Sequence, residues 1–174
     1  AGGAILAGHI ALECGLDKVL SYDMGGTTAK ICLIDGGKPQ TSRTFEVDRQ
    51  YRFIKGSGLP LRIPVIEMVE IGAGGGSIAK IDNLNRIQVG PESAGSEPGP
   101  ACYDQGGEDA TVTDADVALG RIAPEGFAGG SMNLSPELSV GALERAIGQK
   151  LNLDGPLAAF AISEMVEENM SNAA

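Results

Sequence analysis

The sequence predicts a mixed α/β domain: one helix, a strand-rich middle, a long ordered loop and closing helices. Three observations carry that reading. The opening stretch AGGAILAGHIALEC is largely apolar, rich in small residues, and followed by Gly15. The middle alternates short β-rich runs with glycine turns, beginning with VLSYDMGGTTAKICLID, Val19 to Asp35. From Ser135 onward, apolar residues recur at helical spacing. A chain of 174 residues is long enough to bury a sizeable core as one domain.

The elements follow in order. Ala4 to Cys14 reads as a helix that Gly15 ends. Its small residues permit close packing, and His9 within it reads as a packed or edge histidine rather than a catalyst. Val19–Tyr22 and Ala29–Ile34 read as strands, Asp35, Gly36 and Gly37 as a turn, and Ser42–Val47 as a third strand. The stretch DRQYRFIKGSG is basic and turn-rich. Arg49, Arg52, Lys55 and nearby Arg62 are either a solvated face or a contact with phosphate or a missing domain. LRIPVIEMVEIG reads as one strand, with Leu61, Ile63, Val65, Glu67, Val69 and Ile71 on one side, Glu70 on the other and a bend at Pro64.

After GAGGGS, Ile78–Ile81 and Arg86–Val89 predict a hairpin across DNLN. PESAGSEPGPACYDQGG, Pro91 to Gly107, predicts a rigid, folded-over loop, because its prolines fix several backbone positions. Thr113 is the expected N-cap of a short helix ending near Gly120, with Asp114 and Asp116 in its first turn. Ser135 and Pro136 start another helix, ended by Gly148, that buries Leu138, Ala142, Leu143, Ala146 and Ile147. The last helix begins near Pro156. It turns Ala158, Ala161, Ile162, Met165 and Val166 to one side and leaves Glu164, Glu167 and Glu168 as solvated charge. There is no repeat and no coiled-coil heptad.

Composition limits the partners. Thirteen basic and 23 acidic residues give a formal charge of −10, which argues against a nucleic-acid backbone or an anionic membrane surface. A nucleotide stays open, since backbone N–H groups bind phosphate without side-chain charge. No apolar run reaches the length of a membrane span, and the N-terminus lacks a basic signal-peptide region. Cys14, Cys32 and Cys102 are widely spaced, so free thiols in an intracellular, cytoplasmic protein are expected. With His9 the only histidine, neither a histidine-rich metal site nor a Ser-His-Asp triad is expected. Twenty-six glycines imply turns and close backbone approaches. Neither end reads as a finished boundary, and a piece of a longer protein is expected.

Two glycine-rich turns carry the chemistry. Asp23-Met24-Gly25-Gly26-Thr27-Thr28 joins two strands and can expose successive backbone N–H groups to a phosphate oxygen. Thr27 and Thr28 add hydroxyl donors, and Asp23 suits hydrated magnesium or an oriented water. An ordinary hairpin with an acidic edge is the other reading. The second turn, EIGAGGGSIA, carries Gly72, Gly74, Gly75, Gly76 and Ser77. It lacks the Lys-Ser/Thr ending of a P-loop, and no helix follows to receive a pyrophosphate. What remains is a close backbone approach, either to another turn or to a ligand.

Taken together, YDMGGTTAKICLIDGG, IPVIEMVEIGAGGGSIAKID, VGPESAGSEPGPACYDQGG and TVTDADVALGRI resemble the signature series of the hydantoinase A/5-oxoprolinase family. That family also includes the beta subunits of acetone carboxylase-type enzymes. The resemblance runs in order from the first helix through EMVEENMSNAA and so covers nearly the whole chain. Four long blocks of different composition agree, whereas DMGGTT alone points only to the wider sugar kinase, heat-shock ATPase and actin superfamily.

The resemblance implies an incomplete actin-like, ribonuclease H-like ATPase fold. Residues 1–174 would be a central-domain fragment lacking the N-terminal ATPase half and the C-terminal remainder. No second phosphate turn of the family's DxGGTxxD kind occurs in this chain. Asp23, Gly25, Gly26, Thr27 and Thr28 would form one wall of an ATP cleft, with Gly74, Gly75, Gly76 and Ser77 also binding the cofactor. The implied cofactors are ATP and magnesium, with Asp23 the catalytic and metal-holding carboxylate. The implied reaction is ATP-dependent opening of a cyclic amide such as a hydantoin or 5-oxoproline, in which phosphorylating the carbonyl oxygen opens the ring carbon to water.

The implied partners are the missing regions of the same subunit, a hydantoinase B-type subunit or domain, and a small cyclic-amide substrate. Two alternatives accompany this reading: a beta-subunit domain of an ATP-dependent acetone-type carboxylase, or a catalytically silent structural domain when isolated. TTAK after the glycine pair leans toward the hydantoinase side. Some family members carry histidine near VEIGAGGG; this chain has Met68, Val69 and Glu70, so no histidine ligand carries over. Glu67 and Glu70 face a metal or partner, or are structural charges. One of Asp114 and Asp116 caps a helix, and the other is a candidate to reach the cleft. Cys102, without a local histidine, reads as structural rather than nucleophilic.

Overall fold

The computed structural model describes residues 1–48 and 56–172. Arg49, Arg52 and Lys55 of the basic stretch lie outside the described residues. The chain divides into two compact units: Ala1–Asp23 with Lys30–Glu70, and Met24–Ala29 with Ile71–Ala174.

In the first unit, helix α1 spans Gly2–Glu13 and buries Ala4, Gly8 and Ala11. Gly15 follows at φ +67, a conformation that glycine adopts without strain. A β-carbon on Gly8 would lie 2.6 Å from the Gly37 carbonyl oxygen, so the small-residue side of the helix seats directly on the 36–39 turn. Strands β1 (Lys18–Met24), β2 (Ala29–Asp35) and β3 (Lys38–Pro39) form a sheet in that order. β2 buries Ile31, Cys32 and Ile34.

The structure corrects two strand expectations. The third strand is not continuous over 42–47: β4 (Thr41–Ser42) and β5 (Phe45–Val47) pair with different partners. The single strand expected from Leu61 is likewise three pieces, β6 (Leu59–Leu61), β7 (Val65–Ile66) and β8 (Val69–Ile71). They pair with β5, β4 and β2 respectively. Pro64 lies between the first two pieces, where it fixes φ and supplies no ladder donor. The row from Leu61 to Ile71 is therefore no buried stripe; of its six residues, Ile71 alone is buried.

In the second unit, β9 (Ser77–Ile81) and β10 (Ile87–Ser93) form the expected antiparallel hairpin. Asp82 closes its turn by accepting from the Leu84 and Arg86 amides at 2.8 and 2.9 Å. A 3₁₀ turn at Ala101–Tyr103 sits in the proline-rich loop, with Pro100, Ala101 and Cys102 buried. Helix α2 spans Val112–Ala118 and is capped by Thr111, two residues before the expected Thr113.

Helix α3 (Pro136–Leu143) starts at the expected Ser135 cap but does not stop at Gly148. It runs through a π turn, Glu144–Gly148, into α4 (Gln149–Leu151) and ends at Asn152 with φ +54. A β-carbon on Gly148 would lie 2.7 Å from the Leu153 carbonyl, so this glycine serves a close approach rather than a stop. Helix α5 (Gly155–Ser171) has Asp154 as its cap. Leu143, Ile147 and Ile162 are completely buried, each contributing roughly 1.5–3 kcal/mol by leaving water. Leu138, expected inside, is exposed.

Candidate functional site

The two glycine turns belong to one structure within the second unit. Gly75 N–H donates to the Gly25 carbonyl at 3.0 Å, and Gly76 N–H donates to the Gly26 carbonyl at 2.6 Å. Of the two readings left open for the second turn, the structure shows an approach to another turn. The contact excludes side chains. A β-carbon on Gly74 would lie 2.6 Å from the Gly25 oxygen and 2.8 Å from Gly26 carbonyl atoms.

In the second turn the amides of Gly74, Gly75, Gly76 and Ser77 are all engaged. Gly74 N–H donates to Ser77 Oγ at 2.9 Å, and Ser77 N–H donates to the Gly74 carbonyl at 3.0 Å. Gly74, Gly76 and Ser77 are buried. Beneath them, the Gly75 carbonyl accepts from Thr113 N–H at 2.8 Å and from Thr113 Oγ1 at 2.9 Å. Thr113, expected as a cap, thus holds the glycine turn.

The first turn is presented outward. Asp23 through Thr27 are exposed, and Gly25 N–H closes the turn on the Thr28 carbonyl at 2.9 Å. A trans peptide is planar, with its C=O and N–H pointing opposite ways. The peptide bonds on either side of Gly26 are trans. With the Gly25 and Gly26 carbonyls captured by the second turn, the N–H groups of Gly26 and Thr27 must point away from it. Among the described residues, neither amide has a partner. Two successive outward amides on an exposed turn are an anion-binding shape.

In the first unit, Asp23 lies at the end of β1 against the first turn of α1. Nothing in the sequence flagged Gly3, whose bare Cα borders the Asp23 carboxylate. Asp23 is a single carboxylate. Among the described residues no group of three or more His, Cys, Asp or Glu side chains forms a metal cage. A single carboxylate suits magnesium carried in by a polyphosphate, since that ion keeps most of its waters and takes few protein ligands.

The TVTDAD block proves structural. Asp114 is fully buried and accepts from five donors: Cys102 N–H at 2.8 Å, Ala101 N–H at 3.3 Å, Thr111 N–H at 2.9 Å, Thr111 Oγ1 at 2.7 Å and Ser139 Oγ at 3.1 Å. This is a capping box extended to the proline-rich loop and to α3. Asp116 does not reach the glycine turns but pairs with Arg121 at 3.6 Å. Burial raises its pKa above the usual value, with Arg121 opposing the rise. Arg121 also meets Glu167 at 3.0 Å, so that glutamate is not merely solvated charge. In the first unit, Glu70 pairs with Lys30 at 3.3 Å.

Cys102 packs with Val117 and Leu134. Burial, then the Asp114 carboxylate, pushes its thiol up to about 12. It has no thiolate to offer as a nucleophile. Cys14 is exposed, whereas Cys32 and Cys102 are buried. Ellman's reagent is therefore expected to label Cys14 at once in the folded protein, and Cys32 and Cys102 only after denaturant is added. Rapid labelling of Cys102 in the folded protein would contradict its packing.

Comparison with known proteins places these features in context. The family described as hydantoinase/oxoprolinase matches residues 1–174. The acetophenone carboxylase gamma subunit of Aromatoleum aromaticum is 36% identical over 172 residues, covering 98% of this chain and 22% of that protein. The nucleotide-free structure of acetone carboxylase, described with ATP-dependent acetone carboxylation, superposes with a TM-score of 0.85 at 28% identity. It covers 98% of this chain and 23% of that one. The ATP-dependent caprolactamase structure from Pseudomonas jessenii superposes with a TM-score of 0.78 at 37% identity, covering 98% and 24%. The chain thus spans about a quarter of the length of these relatives. Its mixed α/β fold is related to the actin-type ATPase fold of the two enzymes. No helix of the described residues is long and apolar enough to cross a membrane.

Proposed function

The chain belongs to the hydantoinase/oxoprolinase family, and on that premise we propose that its Asp23–Thr28 turn forms one wall of an ATP phosphate cleft. The observation that carries this reading is the pair of outward, unpartnered amides of Gly26 and Thr27. They supply hydrogen-bond donors to phosphate oxygens without side-chain charge, in keeping with an acidic chain. The Thr27 hydroxyl adds a donor, and Asp23 would hold magnesium through water. Gly74, Gly75, Gly76 and Ser77 contribute to the same site as its floor, by fixing the carbonyls that aim those amides. Magnesium, when bound, supplies charge neutralisation at the phosphates.

The enzyme would use ATP to activate a carbonyl substrate. The closer superposition on acetone carboxylase favours a ketone carboxylase, and the higher identity to the caprolactamase favours opening of a cyclic amide. Residues that choose between them would lie in other regions of the subunit or in a second subunit. The test is ATP hydrolysis by the complete complex with Asp23→Asn, assayed with acetone plus bicarbonate and with hydantoin, 5-oxoproline and caprolactam. Substrate-stimulated turnover is expected to fall by at least about tenfold. Unchanged turnover would sink the assignment of Asp23. Stimulation by the ketone or by one of the cyclic amides decides the substrate class.

A further inference from the structure

Gly3 occupies the first turn of α1, and the three heavy atoms nearest to a β-carbon built there all belong to Asp23. The distances would be 2.6 Å to Oδ2, 3.3 Å to Cγ and 3.6 Å to Cβ. Its neighbour Gly2 has nothing within 4 Å, so the requirement for a bare Cα belongs to Gly3 alone of the two. The obstacle at Gly3 differs from that at Gly8 in the same helix. Gly8 faces a backbone carbonyl, which is fixed by its own chain, whereas Gly3 faces the free end of a short side chain. A methyl group at Gly3 would leave the helix in place and move the carboxylate to another staggered position.

We infer that Gly3 is a positioning residue for Asp23: the side chain it lacks sets where the carboxylate points. This rests on the reading of Asp23 as the magnesium-facing group.

The test uses the complete enzyme with Gly3→Ala, Asp23→Ala and the double variant, in a thermodynamic cycle. Manganese, as an electron-paramagnetic-resonance probe for magnesium, is titrated in the presence of ADP, and melting is followed separately. Gly3→Ala is expected to weaken manganese binding by about 10- to 100-fold, as loss of a ligand-orienting contact does. It is expected to add nothing once Asp23 is alanine. If Gly3→Ala also lowers the melting temperature, the double variant is expected to recover it, because the clash has gone.

Additive losses in the cycle, in binding or in melting, would overturn the inference. So would unchanged manganese binding by Gly3→Ala when Asp23→Ala weakens it, which would leave the role of Asp23 intact. Unchanged binding by Asp23→Ala would overturn both that role and the inference.

Discussion

Asp114→Ala is expected to lose about 3–5 kcal/mol of folding stability, because it strips the acceptor from several buried donors at once. The fully buried carboxylate gathers donors from the proline-rich loop, the α2 cap and α3. Alanine would leave buried amides and hydroxyls without an acceptor, each a loss of about 1–3 kcal/mol where water cannot enter. Asp114→Asn keeps the shape and one acceptor oxygen but turns an NH₂ toward the donors, so it should fall between wild type and alanine. Denaturant unfolding followed by circular dichroism measures both. An alanine variant within about 1 kcal/mol of wild type would show that the clamp is not stabilising.

Gly74→Ala is the variant expected to damage the candidate site most. Its methyl would meet the carbonyls of Gly25 and Gly26, main-chain atoms with no rotamer to escape into. Overpacking of this kind costs about 1–3 kcal/mol, and relieving it means pushing the first turn away. Once the Gly25 and Gly26 carbonyls leave the second turn, nothing fixes the direction of the Gly26 and Thr27 amides. ADP binding to the complete enzyme, measured by calorimetry, is expected to vanish. Gly26→Ala is the matched stability control, since a β-carbon there has open space and should leave melting unchanged. Full ADP affinity in Gly74→Ala would refute the link between floor and donors.

The DMGGTT turn was legible because its glycines, threonines and acid stand together between two strands. Its floor was only half legible: the glycines announced a close approach, but the partner is a turn about fifty residues away in sequence. The block TVTDAD contains Thr-x-x-Asp twice, at Thr111/Asp114 and Thr113/Asp116. Local chemistry allows a capping box in either frame. Distant residues decide: Ser139 and the 101–102 amides converge on Asp114, while Arg121 takes Asp116. The hairpin over 77–93 was readable because its turn and strands are adjacent. The pieces between 41 and 71 were not, because each is two or three residues long and finds its partner across the chain. Gly3 left no signal, since a glycine in a helix's first turn is unremarkable until its neighbour in space is known.

The joint between the two glycine turns consists of peptide groups and the hydroxyls of Ser77 and Thr113. None of these ionises near neutral pH, exchanges electrons or carries a charge that salt can screen. The joint is therefore chemically silent: acid, reductant and ionic strength pass it by, and the direct way to open it is to add bulk. Any dependence of nucleotide binding on pH or salt must then enter elsewhere than through the frame that aims the amides.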